Sequence, residues 1–215
     1  MWVGVFDYKL NFRDVGESLN QCLNKDVFRT GLVFRSNKYF SGWSCDRIGN
    51  PQKIYTLNFE PHEPHDYYCK NSDGSEIVGV YTNTTFEIQA VENLNDWERP
   101  EFRQTMCTLF RDTLDDIIEE RNFLFHCSAG RDRTGAFAAM FSTMLAEQKE
   151  IVDEKFIDAL ECDYQKTSSL KQEKYGHIKL FIEDMQKSGG VSKFIETKCG
   201  IDPATMRNAA DHFIQ

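Results

Sequence analysis

Cys127 and Arg133, separated by five residues in His126-Cys127-Ser128-Ala129-Gly130-Arg131-Asp132-Arg133-Thr134-Gly135, carry the strongest chemical signal in the sequence. A very short apolar run, Phe123-Leu124-Phe125, leads straight into this segment, and Ala136 to Leu145, apolar almost all round, leads out of it. The pattern predicts a strand, a loop and a buried helix. A cysteine at the mouth of a helix meets backbone N–H groups without intrahelical partners and the positive end of the helix dipole, which together favour its thiolate. Amides of Ser128, Ala129, Gly130, Arg131 and Asp132 closing on Arg133 would form an anion cradle, in which a planar guanidinium holds two phosphate oxygens. Gly130 supplies the backbone freedom that such a curl needs. A lone cysteine is ordinarily a buried structural thiol. Beside His126, Gly130 and Arg133, Cys127 instead reads as a nucleophile that attacks phosphorus and forms a cysteinyl-phosphate.

The elements that must position this loop are legible to different degrees. Gly31 to Ser36, Lys53 to Phe59 and Thr85 to Glu92 read as strands, with a loop dense in Pro, His, Asp, Asn and Gly over Pro61 to Ser75. From Pro100 the period changes. Phe102, Met106, Leu109, Phe110, Leu114, Ile117 and Ile118 fall at helical spacing, with Pro100 and Glu101 suiting a first turn. Three more amphipathic helices are expected at about 150–166, 172–187 and 202–214, with Gly189-Gly190 and Gly200 as breaks. A first half of strand and loop and a second half of helix predict an α/β fold over 1–215 as one domain. Its sheet is small and mostly parallel with helices on both faces, and the loop lies at a strand's C-terminal end.

Composition bounds the rest. The 215 residues are 40% hydrophobic, with 34 acidic against 25 basic side chains and a formal charge of −9. This suits a folded chain with a sizeable core, and argues against binding nucleic acid or anionic lipid by bulk charge. No stretch approaches the roughly 20 apolar residues of a membrane span, so no stable membrane insertion is expected. Met1 to Asp7 breaks its apolar run with a charge and lacks the core of a secretory signal, which predicts a cytoplasmic protein while leaving non-classical secretion open. The seven cysteines are odd in number and irregular in spacing, so most of Cys22, Cys45, Cys69, Cys107, Cys162 and Cys199 read as reduced, buried thiols. A rival constellation, His62-Glu63-Pro64-His65 with Cys69, fits neither a metalloprotease helix nor a zinc finger, and reads as loop with no metal.

The segment from His126 to Gly135 resembles the signature loop of the protein tyrosine phosphatase superfamily. Gly-x-Asp-Arg-Thr-Gly is similar to its bacterial and fungal branch of tyrosine, dual-specificity and lipid phosphatases. Asn11-Phe12-Arg13-Asp14-Val15-Gly16 resembles that branch's N-terminal motif, and Leu32-Val33-Phe34-Arg35-Ser36 its next strand. Asp163-Tyr164-Gln165-Lys166-Thr167 is similar to a helix-end motif there, and Gly189 to Gly200 to its penultimate segment. Two departures stand out. Thr56-Leu57-Asn58 replaces a common Asp-Leu-Arg, so the roles of that Asp and Arg do not carry over, and Arg131 replaces the usual Lys.

The resemblance implies phosphate monoester hydrolysis without a cofactor or metal. Cys127 would be the nucleophile, Arg133 the phosphate clamp, His126 an orienter of the loop, and Thr134 a hydroxyl that stabilises the departing thiolate. A leaving oxygen needs a proton. Asp96, in Asn95-Asp96-Trp97-Glu98-Arg99-Pro100, lies at a spacing similar to the acid loop of dual-specificity phosphatases, and is the first candidate; Asp132 is the alternative. Arg131 could hold a second phosphate. Arg13, Asp14 and Arg35 are expected to form buried ion pairs behind the loop. The implied substrate is a phosphorylated protein, phosphotyrosine foremost with dual specificity possible, or a phosphoinositide. The reading from another class is a phosphate-binding pseudophosphatase.

Overall fold

The computed structural model describes residues 9–59, 66–80, 90–168 and 170–215. Its central sheet has four strands in the order β1 (Arg13–Asp14), β2 (Val33–Asn37), β7 (Phe123–Cys127) and β4 (Lys53–Thr56). Strand β1 is antiparallel to β2, while β2 and β4 both run parallel to β7. The sheet is thus small and mostly parallel. Because the neighbours share β7's direction, their C-terminal ends flank the residues that follow Cys127, where parallel sheets place ligands.

Side chains alternate across β7. Phe123 and Phe125 enter a large core, whereas Leu124 enters a smaller one with Phe34, Phe40, Ile48, Ile54, Tyr67 and Cys69. The large core is lined by α1 (Val15–Leu23), α2 (Pro100–Ile118), α3 (Asp132–Gln148), α4 (Glu154–Gln165), α5 (His177–Lys187), α6 (Val191–Cys199) and α7 (Pro203–Phe213). Helix α3 is buried continuously from Thr134 to Ala146, as its unbroken apolar run predicts. Helix α2 begins at Pro100 and buries Phe102, Met106, Leu109, Phe110, Leu114 and Ile117. The sequence places helices on both faces of the sheet. Instead these long helices gather on one, and the other is packed by short 3-10 turns and a second sheet of β3 (Trp43–Ser44), β5 (Tyr68–Lys70) and β6 (Glu76–Val78). The β5–β6 hairpin occupies part of what reads as loop, its turn closed at Asn71 to Ser75. Of the strand expected at Thr85 to Glu92, residues 85–89 lie outside the described residues, as do His62 and His65.

The cysteines correct the sequence reading. Cys22–Cys162, Cys45–Cys69 and Cys107–Cys199 are disulfides, and Cys127 is the free cysteine. Pairing across sequence separations of 140 and 92 has no local signature, so spacing could not disclose it. Cys69, a member of the rival metal constellation, is committed to Cys45. Cys22–Cys162 joins α1 to α4 and is partly exposed, while both partners of each other pair are buried. Mild reductant should therefore open Cys22–Cys162 first. Replacing both of its cysteines with serine should lower unfolding free energy by about 3–5 kcal/mol, the scale for closing so long a loop. Urea unfolding of the variant beside the parent, at one pH, checks this; coincident curves would refute it.

Candidate active site

Cys127 is the last residue of β7, in register with Asn37 of β2, and is buried. The chain then curls from Ser128 to Arg131 and enters α3 at Asp132. The curl is held at three points by the neighbouring strand ends. Lys38 N donates to Ser128 O at 3.4 Å, Leu57 N donates to His126 O at 2.7 Å, and Gly130 sits against the end of β2. Gly130 has φ of +65°, and a Cβ there would lie 2.7 Å from Ser36 O and 2.8 Å from Asn37 N. Both backbone conformation and space therefore demand glycine. Arg133 and Thr134 fall in the first turn of α3, whose N–H groups face the loop without helical partners. Arg133 reaches toward β4, donating from Nη1 to Leu57 O at 2.8 Å and to Asn58 Oδ1 at 3.2 Å. The Thr134 hydroxyl is buried with no hydrogen-bond partner among the described residues. His126 points to the opposite face of the sheet, its ring edge-on to Phe40 at 5.0 Å and to Tyr67 at 4.4 Å.

Behind the loop, segments distant in sequence meet on one carboxylate. Asp163 of α4 receives Arg13 Nε at 2.6 Å, Ser18 Oγ at 2.7 Å and the Arg35 Nη1 hydrogen bond. Arg35 also donates from Nη2 to Gly130 O at 3.3 Å, and Asn11 donates from Nδ2 to Ala129 O at 2.8 Å. Burial alone would raise the Asp163 pKa, but Arg13, Arg35 and the Ser18 hydroxyl more than offset it and hold the carboxyl well below its ordinary range. Burial, then repulsion by Arg13, pushes Arg35 down to about 10 against the pull of Asp163. Through Gly130 O the same guanidinium links the buried hub to the loop.

Asp14 does not join this cluster, contrary to the sequence reading. Its carboxylate caps α1, accepting from Glu17 N at 3.1 Å and from Gly31 N. The Asp14-x-x-Glu17 spacing is the signal that marks this helix start. The ion-pair partner of both arginines is Asp163, in the helix-end motif, where Thr167 Oγ1 also accepts from Arg13 at 3.2 Å.

With the loop, the arginine and their support in place, one comparison decides the family: a model of the tyrosine phosphatase family matches residues 95–215, more than half of the chain. The chain belongs to the tyrosine phosphatase family. No curated protein matches it. Among the described residues, no helix of this phosphatase is long and apolar enough to cross a membrane.

The two candidate acids of the phosphatase differ in setting. Asp96 is 3% exposed and opens a 3-10 turn, Asp96–Glu98, whose Trp97 is packed against Phe102, Phe110 and Phe194. Asp132 is at the loop itself. Its side chain is 37% exposed, its Oδ1 accepts from Tyr164 Oη at 2.7 Å, and Lys174 Nζ lies 3.7 Å away. Burial and then the Asp132 carboxylate raise the Tyr164 pKa, keeping the phenol a donor. Tyr164 also packs against the loop's helix, where a Cβ on Gly135 would come within 2.6 Å of its ring. Tyr164, Asn58, Asn11 and Asp163 are the residues of this neighbourhood whose individual roles are not readable from sequence. Asn11, Asp163 and Tyr164 belong to motifs that carry the resemblance, but only tertiary contact shows what each of them touches.

Proposed function

We propose that this phosphatase hydrolyses phosphotyrosine in proteins through a cysteinyl-phosphate, with dual specificity toward other phosphorylated side chains, and that residues 1–215 act as one catalytic domain. The observation that carries the reading is the junction of Cys127 at the end of β7 with Arg133 in the first turn of α3, around a loop that only glycine at 130 permits. The Cys127 thiolate attacks phosphorus in line, forming the S–P bond as the P–O bond breaks and its electron pair passes to the leaving oxygen. Loop amides from Ser128 to Asp132 and the Arg133 guanidinium hold the remaining oxygens. Water then attacks phosphorus, the S–P bond breaks, and the thiolate departs beside the Thr134 hydroxyl.

Asp132 takes precedence over Asp96 as proton donor, because it stands partly exposed at the loop while Asp96 is buried beside an anchored Trp97. Asp132→Ala is expected to slow substrates with poor leaving groups by roughly 10²–10³-fold and to affect good leaving groups far less. If Asp96→Ala gives that pattern and Asp132→Ala does not, the role belongs to Asp96.

A phosphoinositide reading is favoured by one observation, the second cation that Lys174 places near Asp132, next in sequence to Arg131. A panel of phosphotyrosine peptides, phosphoserine peptides and phosphoinositides decides between them; faster release of phosphate from the lipids would overturn the protein reading. The three disulfides favour an oxidising compartment over the cytoplasm.

A further inference from the structure

We infer that Asn58, oriented by Tyr67, is the positioning residue that presets the Arg133 clamp. The inference rests on the phosphatase reading and adds to it a residue from β4's end. Asn58 is fully buried and stands just past β4, where its own N–H donates to Thr56 Oγ1 at 3.0 Å. Its side-chain oxygen accepts from Arg133 Nη1 at 3.2 Å and its Nδ2 donates to the Tyr67 hydroxyl at 2.9 Å. The amide can take only this orientation, because a guanidinium offers donors alone and must face oxygen.

The two acceptors on Arg133, Leu57 O and Asn58 Oδ1, both engage Nη1. Nε and Nη2 make no hydrogen bond among the described residues, and so remain to meet phosphate oxygens as a pair. Both acceptors are also neutral. A carboxylate in the place of Asn58 would fix the same geometry while cancelling the charge that must bind a dianion; an amide fixes it and leaves the charge. Tyr67 makes the arrangement rigid from outside the central sheet. It adjoins β5, two residues from the Cys45–Cys69 disulfide, and its ring packs on His126 while its hydroxyl holds Asn58. One tyrosine thus touches the residue before Cys127 and the residue that holds Arg133.

The test is inhibition of aryl phosphate hydrolysis by inorganic phosphate, measured on the full chain with Asn58→Ala, Asn58→Asp and Tyr67→Phe. The inhibition constant is expected to rise about 5-fold in Asn58→Ala, where the acceptor is lost, and roughly 10-fold or more in Asn58→Asp, where the acceptor is kept and charge is added. Tyr67→Phe, which retains the ring on His126 and frees the amide, should raise it about 2–5-fold. A purely structural Asn58 would lower the thermal midpoint and leave the constant of the folded fraction alone. Should Asn58→Ala not fold, the isosteric Asn58→Asp and Tyr67→Phe carry the test. Phosphate inhibition within 2-fold of the parent in the folded variants would overturn the assignment to Asn58. A parent chain that neither hydrolyses aryl phosphate nor binds inorganic phosphate would instead overturn the phosphatase reading on which it rests.

Discussion

Cys127→Ser is expected to abolish turnover of an aryl phosphate, by roughly 10⁴-fold or more, on the scale of removing a nucleophile from an assembled site. A serine hydroxyl at the same position does not ionise near neutral pH, so the S–P bond has no counterpart. Binding should survive. Arg133 and the loop amides remain, Gly130 is untouched, and the smaller oxygen relieves rather than crowds the curl, so inorganic phosphate should bind within a few-fold of the parent by calorimetry. Cys127 is the free cysteine among seven, and the variant should therefore lose the one free thiol of the protein, counted after unfolding without reductant. Residual turnover above a few per cent would remove Cys127 from the chemistry. Loss of phosphate binding in parallel with turnover would make it a structural thiol of the loop. A thiol count above one in the parent would contradict the three disulfides.

The loop was legible because its signal is local. An apolar strand, a glycine, an arginine at fixed spacing and an apolar helix follow one another within a short stretch, and each constrains the next. Helix α2 was legible for the same reason, with Pro100 at its start and a sustained period. Helix α1 is faint in the sequence because Gly16 and Ser18 weaken its propensity, although Asp14 and Glu17 mark its first turn. Helix α6 lies between the glycines that read only as breaks. Strands β5 and β6 are three residues each, too short for alternation to show. What sequence could not supply is partnership across the fold. Arg13 and Arg35 call for a carboxylate, and Asp14 is adjacent to one of them, but β1 turns that side chain toward α1 and leaves the arginines to Asp163. The departure at Asn58 was visible as a missing arginine, whereas its contact with Arg133 exists only because β4 ends beside β7.

Asp163→Asn should cost more stability than any other single polar substitution behind the loop. The asparagine keeps the shape of the carboxylate but leaves Arg13 and Arg35 facing each other with no counter-charge, and Arg35 is fully buried. Breaking one partner of such a buried cluster costs about 3–5 kcal/mol. The sign of the pH dependence follows from the direction of the Asp163 shift. Its folded-state pKa lies below the ordinary carboxylate value of 3.8, so its contribution is fully present above about pH 4 and is withdrawn as the pH falls further toward the folded-state value. Urea unfolding at pH 7 should thus separate the parent from Asp163→Asn by the full amount, and the gap should narrow on acidification as the parent loses what the variant never had. The loop feels the same loss, because Arg35 Nη2 holds Gly130 O. An Arg35 freed from Asp163 can turn away from that carbonyl, so phosphate binding by the folded variant should weaken along with its stability. A difference below about 1 kcal/mol at pH 7, or a gap that does not narrow in acid, would show that Asp163 is not the charge on which the two arginines and the loop depend.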